Sequence, residues 1–172
     1  MKTELQREQV SAEGHRFALV VSRWNHELTS KLEKGARGAL TEAGAGDAIE
    51  VFRVPGAFEL PLACLKAAGT GRFNAVIALG VVIRGDTPHF EYVAGQAATG
   101  ITQASLESGV PVMFGVITVD NLEQAIARTG ESTDNKGYEA ALSAVEMANL
   151  MRLFDDRSEE VKSETKVIPH VV

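Results

Sequence analysis

Residues 84–89 combine the side chains needed to bind an anion and to transfer a proton. They read Arg-Gly-Asp-Thr-Pro-His and directly follow an apolar, β-branched run at 75–83. The glycine lets a ligand approach the backbone closely, and the N–H groups of residues 85–87 lead towards a predicted helix N-terminus, which favours anions. Thr87 adds a hydroxyl. His89 adds an imidazole, the side chain best suited to proton transfer near neutral pH.

These residues also have ordinary interpretations. A histidine at a helix start is more often a cap or a surface residue than a catalytic group. Asp86 is negative, so an anion site requires its carboxylate to point away while its backbone binds. The Arg84-Gly85-Asp86 tripeptide resembles an adhesion signal, but it follows a core strand in a chain that shows no secretory signal.

Polar and aromatic residues also follow the other apolar runs. Strands are predicted at 17–22, 48–54 and 111–119, in addition to 75–83. In an open sheet of parallel strands, ligands bind outside the carboxyl ends of the strands, so these residues are predicted to gather at one end of the sheet. They are Arg23, Trp24, Asn25 and His26 after the first strand, Pro55, Gly56, Ala57, Phe58 and Glu59 after the second, and Asp120 and Asn121 after the last, with Arg128 shortly beyond.

Helical segments alternate with the strands. Apolar residues recur at helical spacing in 28–43, 59–69 and 136–154. The small-residue segment 91–109 and the short segment 121–128 are also predicted to be helical. Because the third strand is a continuous apolar run, it must be covered on both faces. The pattern therefore predicts an α/β protein, a three-layer α/β/α sandwich with a four-stranded parallel sheet.

The composition is that of one ordinary globular domain. The chain has 172 residues, of which 45% are hydrophobic and 23% charged, enough for one buried core. A net charge of −6 without a Lys/Arg cluster argues against nucleic-acid binding, and no apolar run approaches the roughly 18 residues of a membrane helix. Cys64 is the only cysteine, and residues 1–16 contain no apolar signal segment, so a cytoplasmic location is expected.

Several single residues allow two interpretations. Trp24, the only tryptophan, fits either the core or an exposed aromatic platform. Glu59 fits either a helix N-terminus or a ligand contact, and Arg128 alone is typical of a solvated helix charge. Cys64 lies on an apolar helical face and is predicted to be core. Residues 130–137 resemble a phosphate loop, but they follow a helix rather than a strand, so we reject that motif.

The motifs together are more specific than any single residue. RWN after the first strand, VPGAFELP after the second, GVVIRGDTPHFEYV, FGVIT, EQAIARTG and NKGYEAALSAVEMANL occur in this order and spacing. The set resembles the 6,7-dimethyl-8-ribityllumazine synthase family over about residues 14–154. The resemblance implies a flavodoxin-like fold and a transferase of riboflavin biosynthesis that uses neither a cofactor nor a metal.

The resemblance also implies a reaction. In that family, 5-amino-6-(D-ribitylamino)uracil condenses with 3,4-dihydroxy-2-butanone 4-phosphate to give 6,7-dimethyl-8-ribityllumazine, phosphate and water. The amine attacks the ketone to form an imine, phosphate leaves, the side chain tautomerises, and the ribityl-bearing nitrogen closes the ring. Because the substrate amine is the nucleophile, the protein must supply a flat platform, an anion site and a proton shuttle. Much of the rate is expected from holding two substrates in register.

Residue roles follow from the same resemblance. His89 matches the proton donor, and Trp24 matches a stacking aromatic that is more often phenylalanine. Serine is frequent at the position of Ala57, so one hydroxyl contact is expected to be missing. The remaining matches are Ala57, Phe58 and Glu59 for the pyrimidine and ribityl chain, Val81, Val82 and Ile83 for the uracil, Gly85, Asp86, Thr87 and Arg128 for the phosphate, Phe114 for an aromatic from the neighbouring subunit, and Lys136 for a nearby cation.

Partners are implied as well. Family members form homo-pentamers with sites between subunits, many pentamers join into a hollow icosahedral shell, and riboflavin synthase is a candidate partner. Members that stop at the pentamer often carry extra residues before the last helix, whereas here that stretch is only 129–135. We therefore expect a pentamer and a closed shell. Residues 1–16 are expected to form an arm that reaches over a neighbour, 17–154 the domain, and 155–172 a charged, loosely ordered tail.

Two other classes of protein fit part of this pattern. A non-catalytic flavin or nucleotide carrier on a flavodoxin-like sheet would also use a phosphate loop and an aromatic platform, but it has no need of His89. A shell-forming structural protein that has lost catalysis would keep its packing residues while its site changed, which the presence of His89, Thr87 and Arg128 disfavours. An activity assay with both substrates separates these classes from the enzyme.

Overall fold

Four strands and five helices, together with one 3-10 turn, are assigned within the described part of the chain. The strands are β1 (Phe17–Ser22), β2 (Ile49–Val54), β3 (Ala75–Ile83) and β4 (Val112–Val119), and the helices are α1 (His26–Glu42), α2 (Leu60–Ala68), α3 (His89–Ser108), α4 (Leu122–Ile126) and α5 (Lys136–Thr165). The 3-10 turn Ala57–Glu59 precedes α2. These elements come from a computed structural model that describes residues 11–131 and 134–165, with 157–165 described as backbone only.

The strands form one parallel sheet in the order β2-β1-β3-β4. The chain therefore moves from β1 outwards to β2 and then crosses back to place β3 on the other side of β1. Such a reversal is a topological switch point, and it leaves a crevice outside the carboxyl ends of the two strands that flank it. In this protein those strands are β1 and β3.

Helices cover both faces of the sheet. On one face, α1 and α5 pack against alternate residues of the strands, including Phe17, Leu19 and Ile77. On the other face, α2 and α3 pack against the intervening residues, including Val20 and Val76. All of these side chains are fully buried. The predicted three-layer α/β/α sandwich with a four-stranded parallel sheet is confirmed, and its strand order is that of a flavodoxin-like fold.

Two helices differ in length from their predictions. The short helix predicted at 121–128 is limited to Leu122–Ile126, so Arg128 lies beyond its end. The last helix does not end at 154 but continues to Thr165, so the first part of the predicted tail is helical. Five residues of that segment are Glu, Lys or Arg, and it contains no glycine or proline. Such residues favour a helix without giving it an apolar face.

The two ends of the chain lie only partly within the described residues. Residues 11–16 pack on their own chain: Ala12 is fully buried, its N–H donates to the Ala43 carbonyl at 2.8 Å, and His15 pairs with Asn149 on α5. The remaining parts of the predicted arm and tail, 1–10 and 166–172, lie outside the described residues, so the arm's contact with a neighbour stays a prediction.

In the described part of the chain, every helix is too short or too polar to cross a lipid bilayer. Within the same residues, the structure shows no cluster of three or more His, Cys, Asp or Glu side chains that could hold a metal ion. Cys64 is fully buried between α2 and the sheet, as predicted for a core residue. Burial raises the pKa of its thiol to about 12, which disfavours the reactive thiolate.

Candidate active site

An exposed aromatic ring lies at the carboxyl end of β1. Trp24 follows that strand and is 60% exposed, so the core interpretation of this tryptophan is wrong. Its ring lies against the backbone of Gly56, where a Cβ atom would approach the indole Cε3 to 2.6 Å. Any other residue at position 56 would displace the ring. The glycine therefore lets the turn after β2 support the indole from below, leaving much of the ring free for a ligand.

The 3-10 turn after β2 presents a carboxylate beside this ring. Glu59 Oε2 accepts a hydrogen bond from the Gly56 N–H at 2.8 Å, so the helix N-terminus interpretation holds for one of its oxygens. The other oxygen, Oε1, has no hydrogen bond within the described chain and remains available to a ligand. Phe58 is 54% exposed, whereas Ala57 is buried. Ala57 therefore offers its backbone rather than its side chain.

Asn25 joins the two strands that flank the switch point. Its Nδ2 donates to the Val81 carbonyl at 2.9 Å, which ties the start of α1 to β3. Its φ of 57° is the only left-handed value among the non-glycine residues that the structure describes, and asparagine tolerates that conformation better than most residues. Asn25 was predicted to lie at this end of the sheet, but its link to β3 could not be read from the sequence. Val82 and Ile83, the next residues of β3, are half-buried at the same end.

The loop after β3 carries unpaired hydrogen-bond donors. Within the described chain, the N–H groups of residues 85–87 make no hydrogen bond, and all three residues are exposed. A Cβ atom on Gly85 would meet no atom within 4 Å, so the space beside the loop is open. His89 is the exposed first residue of α3, and α3 packs against the turn 57–59. An anion and a proton-transfer group can thus be held at the same end of the sheet.

Arg84 links the two ends of this loop. Its Nε donates to Asp120 Oδ1 at 2.8 Å, and its Nη1 forms an ion pair with Glu91 in the first turn of α3. Its Cζ lies 4.2 Å from the centre of the Phe90 ring. The pKa of this guanidinium is raised, first by the hydrogen bond to Glu91 and second by that to Asp120. Arg84 belongs to the segment that the sequence singled out, but no role was predicted for its side chain.

A second part of the candidate site lies along the open edge of β4. A groove of about 350 Å³ is lined by β4, by Arg128 and by the first turns of α5. Phe114 is 45% exposed in this groove, and Lys136 lines its other side. Arg128 donates from Nη1 to the Gln124 carbonyl at 2.9 Å, and the Lys136 ammonium pairs with Glu139. None of residues 85–87 lines this groove.

Asn135 holds together the chain segments that carry the two cations of the groove, Arg128 and Lys136. The Lys136 N–H donates to the Arg128 carbonyl at 2.9 Å, and an antiparallel bridge joins Asn135 to Thr129. The buried Asn135 side chain donates to two carbonyls, one on α1, and accepts from two N–H groups at the start of α5. The Asn135 side chain fits here because residue 35 is a glycine: a Cβ atom at that position would lie 2.4 Å from Asn135 Oδ1. The sequence predicted only a loop here.

Comparison with known proteins shows the family of the chain. A family model described as 6,7-dimethyl-8-ribityllumazine synthase matches residues 14–152. The chain belongs to the 6,7-dimethyl-8-ribityllumazine synthase family. Curated relatives carrying that name include those of Syntrophus aciditrophicus (55% identical over 142 residues, 82% of this chain and 92% of the relative) and Chlorobium luteolum (54% over 144 residues, 83% and 93%). That of Chlorobium phaeobacteroides is 52% identical over 146 residues, 84% of this chain and 94% of the relative.

Membership in the lumazine synthase family makes the chain a transferase and connects it with riboflavin biosynthesis. The family match ends at 152, so the last part of α5 lies beyond it. The candidate residues fall into two groups in the single chain. One group, with Trp24 and His89, lies at the carboxyl ends of β1, β2 and β3. The other, with Phe114, Arg128 and Lys136, lies on the edge of β4, so Arg128 joins Phe114 rather than the loop 85–87.

Proposed function

We propose that the protein condenses 5-amino-6-(D-ribitylamino)uracil with 3,4-dihydroxy-2-butanone 4-phosphate to give 6,7-dimethyl-8-ribityllumazine, phosphate and water. One observation carries the proposal. Three groups lie together at the carboxyl end of one sheet, at its switch point. They are the exposed Trp24 indole that rests on the Gly56 backbone, the free Glu59 Oε1, and the three unpaired N–H groups of residues 85–87. A flat pyrimidine and a phosphate ester are the ligands that such a surface suits.

The pyrimidine is held by the first part of this surface. Its ring stacks on Trp24, and backbone groups of Val81, Val82 and Ile83 contact its polar edge. Glu59 Oε1 accepts from the ribityl hydroxyls, with further contacts from Ala57 and Phe58. Because Ala57 is buried and has no hydroxyl, contact there is limited to its backbone. The ring is thereby oriented with its 5-amino group towards the ketone substrate.

The phosphate and the protons are handled by the second part. Gly85, Asp86 and Thr87 donate their N–H groups to the phosphate, and Thr87 adds its hydroxyl. The 5-amino group attacks the ketone, water leaves to give the imine, and phosphate is eliminated. Tautomerisation and attack by the ribityl-bearing nitrogen close the ring with loss of a second water. His89 donates and accepts the protons of these steps, which require no metal and no covalent enzyme intermediate.

The site is completed by a neighbouring copy of the chain. The groove beside Phe114 and Arg128 opens along the free edge of β4 and contains neither the platform nor the histidine. We propose that this groove closes over the carboxyl ends of the strands of the next subunit in a pentamer, so that Arg128 reaches the phosphate bound by that subunit. Pentamers are proposed to join into a closed shell, with riboflavin synthase as a candidate partner. The unpaired Cys64 suits the reducing cytoplasm, the proposed location.

The direct test of the function is an assay with both substrates. The purified protein is expected to form a fluorescent lumazine and to release inorganic phosphate in equal amounts, only when both substrates are present. Each substrate alone serves as the control. A protein that binds flavin tightly but forms no lumazine would instead be a carrier, and the proposed function would then be wrong.

The platform role of Trp24 predicts a second result. Stacking of the pyrimidine should change the emission of Trp24, and no other tryptophan contributes to the signal. Trp24→Phe should retain activity, whereas Trp24→Ala should weaken pyrimidine binding by about 1 kcal/mol or more, as expected for a lost aromatic contact. Isothermal titration calorimetry measures the affinity of both variants for the pyrimidine. Unchanged affinity in Trp24→Ala would remove this residue from the site.

A further inference from the structure

Arg84 spans the loop that carries the proposed phosphate donors. Its backbone N–H donates to the Val119 carbonyl at 2.8 Å, which holds it to the ends of β3 and β4. From there its side chain reaches Asp120 at the end of β4 and Glu91 in the first turn of α3, and it lies over the ring of Phe90. One side chain thus connects the base of the loop to the helix that the loop leads into.

The loop itself has few other restraints. Residues 85–87 donate no hydrogen bond within the described chain, and the side chains of Asp86, Thr87 and His89 have no hydrogen-bond or ion-pair partner there. A single backbone bond, from Glu91 to the Pro88 carbonyl, closes the turn before α3. The donors must nevertheless be fixed in place to bind a phosphate in one orientation.

We infer that Arg84 is a positioning residue of the proposed reaction: its planar guanidinium fixes the first turn of α3 against β4, and thereby sets the places of the phosphate-binding loop and of His89. The inference rests on the proposed function. It assigns Arg84 to the loop rather than to a substrate, because its Nε is paired with Asp120 and its Nη1 with Glu91.

Charge adds to this geometric effect. Without Arg84, the carboxylates of Glu91 and Asp120 would be left unpaired close to the proposed anion site, and Asp86 adds a third negative charge. Repulsion would then weaken binding of the phosphate substrate but not of the neutral pyrimidine. The ion pairs themselves are exposed and contribute little to the free energy of unfolding, so loss of Arg84 should affect catalysis much more than folding.

The chain contains a matched control. Arg72 forms an ion pair with Glu50 and lies 5.3 Å from the centre of the Phe73 ring, so it makes the same kinds of contact as Arg84. It precedes β3, at the opposite end of the sheet from the candidate site. Arg72→Gln therefore removes a comparable surface arginine without disturbing the loop.

The test compares Arg84→Gln, Arg84→Lys and Arg72→Gln in the full-length, assembled protein. Arg84→Gln should lower kcat by about 10- to 100-fold, the range for small misplacements of reacting groups. It should also raise the KM for the phosphate substrate and the inhibition constant of inorganic phosphate, while leaving the KM for the pyrimidine unchanged. Arg84→Lys keeps the charge without the planar fork, so it should restore the KM but recover only part of kcat.

Three outcomes would overturn the inference. They are wild-type kinetics in Arg84→Gln, an equal rise of both KM values, and an equal loss of activity in Arg72→Gln. Melting temperature and sedimentation are measured for each variant. If Arg84→Gln does not fold, Glu91→Gln replaces it, because it removes one of the two ion pairs. Since it also removes a negative charge, it should lower kcat without raising the KM for the phosphate substrate, and a wild-type kcat would overturn the inference. If the wild-type protein forms no lumazine, the proposed function has failed instead, and the two failures are thus distinct.

Discussion

Replacing His89 by alanine is expected to slow lumazine formation by about tenfold to ten-thousandfold, the range for loss of a general acid–base group. The side chain is exposed, begins α3 and has no hydrogen-bond partner within the described chain, so its removal disturbs no packing. The aromatic platform and the loop 85–87 remain, and pyrimidine binding should change little. Steady-state kinetics and pyrimidine titration separate the two effects.

A matched histidine provides the control for this prediction. His26 is the exposed first residue of α1, as His89 is of α3, but its ring lies 3.3 Å from the hydroxyl of Ser30 on its own helix. His26→Ala should therefore keep near-wild-type turnover. If His89→Ala turned over at the wild-type rate, the proton-transfer role assigned to His89 would be lost.

Much of the fold could be predicted because local signals coincide with the final elements. The apolar run 75–83 becomes β3 without a change of bounds, and β1 likewise matches its predicted range 17–22. The end of α5 could not be predicted in the same way. Its apolar periodicity stops near Phe154, and residues 155–165, in which Glu, Lys and Arg alternate with the weaker helix formers Asp, Ser, Val and Thr, give no periodic signal.

The candidate site was predictable in its residue types but not in its grouping. Strand ends bring distant residues together, so the carboxyl-end residues could be predicted to gather once parallel strands were inferred. Whether Trp24 is exposed depends on how closely Gly56 approaches it, which no local pattern encodes. The contact of Arg84 with Glu91 joins a strand end to a helix and follows no regular spacing.

Grouping of Arg128 with Phe114 follows from strand order. The sequence alone associates Arg128 with the phosphate loop by resemblance, and it cannot reveal that β4 is an edge strand. Once β4 is at the edge, the segment after it turns back along the open side of the sheet. The Asn135 side chain then fixes that segment: it donates to one carbonyl of α1 and to one carbonyl within the segment, and it accepts from two backbone N–H groups of α5.

Arg128→Ala is expected to raise the KM for the phosphate substrate by about 10- to 100-fold, because a hydrogen bond to a charged group is worth about 1.5–3 kcal/mol. The KM for the pyrimidine should change little. Lys136 remains in the groove and retains part of the positive charge. This difference between the two KM values is tested by measuring initial rates while each substrate is varied in turn. Equal changes in both KM values would indicate that Arg128 acts through structure.

Mixing the two impaired variants then tests whether the site is shared between subunits. If His89 and Arg128 of one site come from different copies, His89→Ala and Arg128→Ala subunits, co-expressed with different tags, should form some sites with both residues intact. In a ring assembled at random from equal amounts, about one quarter of the interfaces regain them, and activity should recover to about that fraction under subsaturating phosphate substrate. Each variant expressed alone with both tags is the control.

Sedimentation of the mixture identifies the assembly, since five copies of 18.4 kDa give about 92 kDa, whereas a shell is far larger. A monomer, or activity no greater than the sum of the two variants, would mean that each chain carries a whole site.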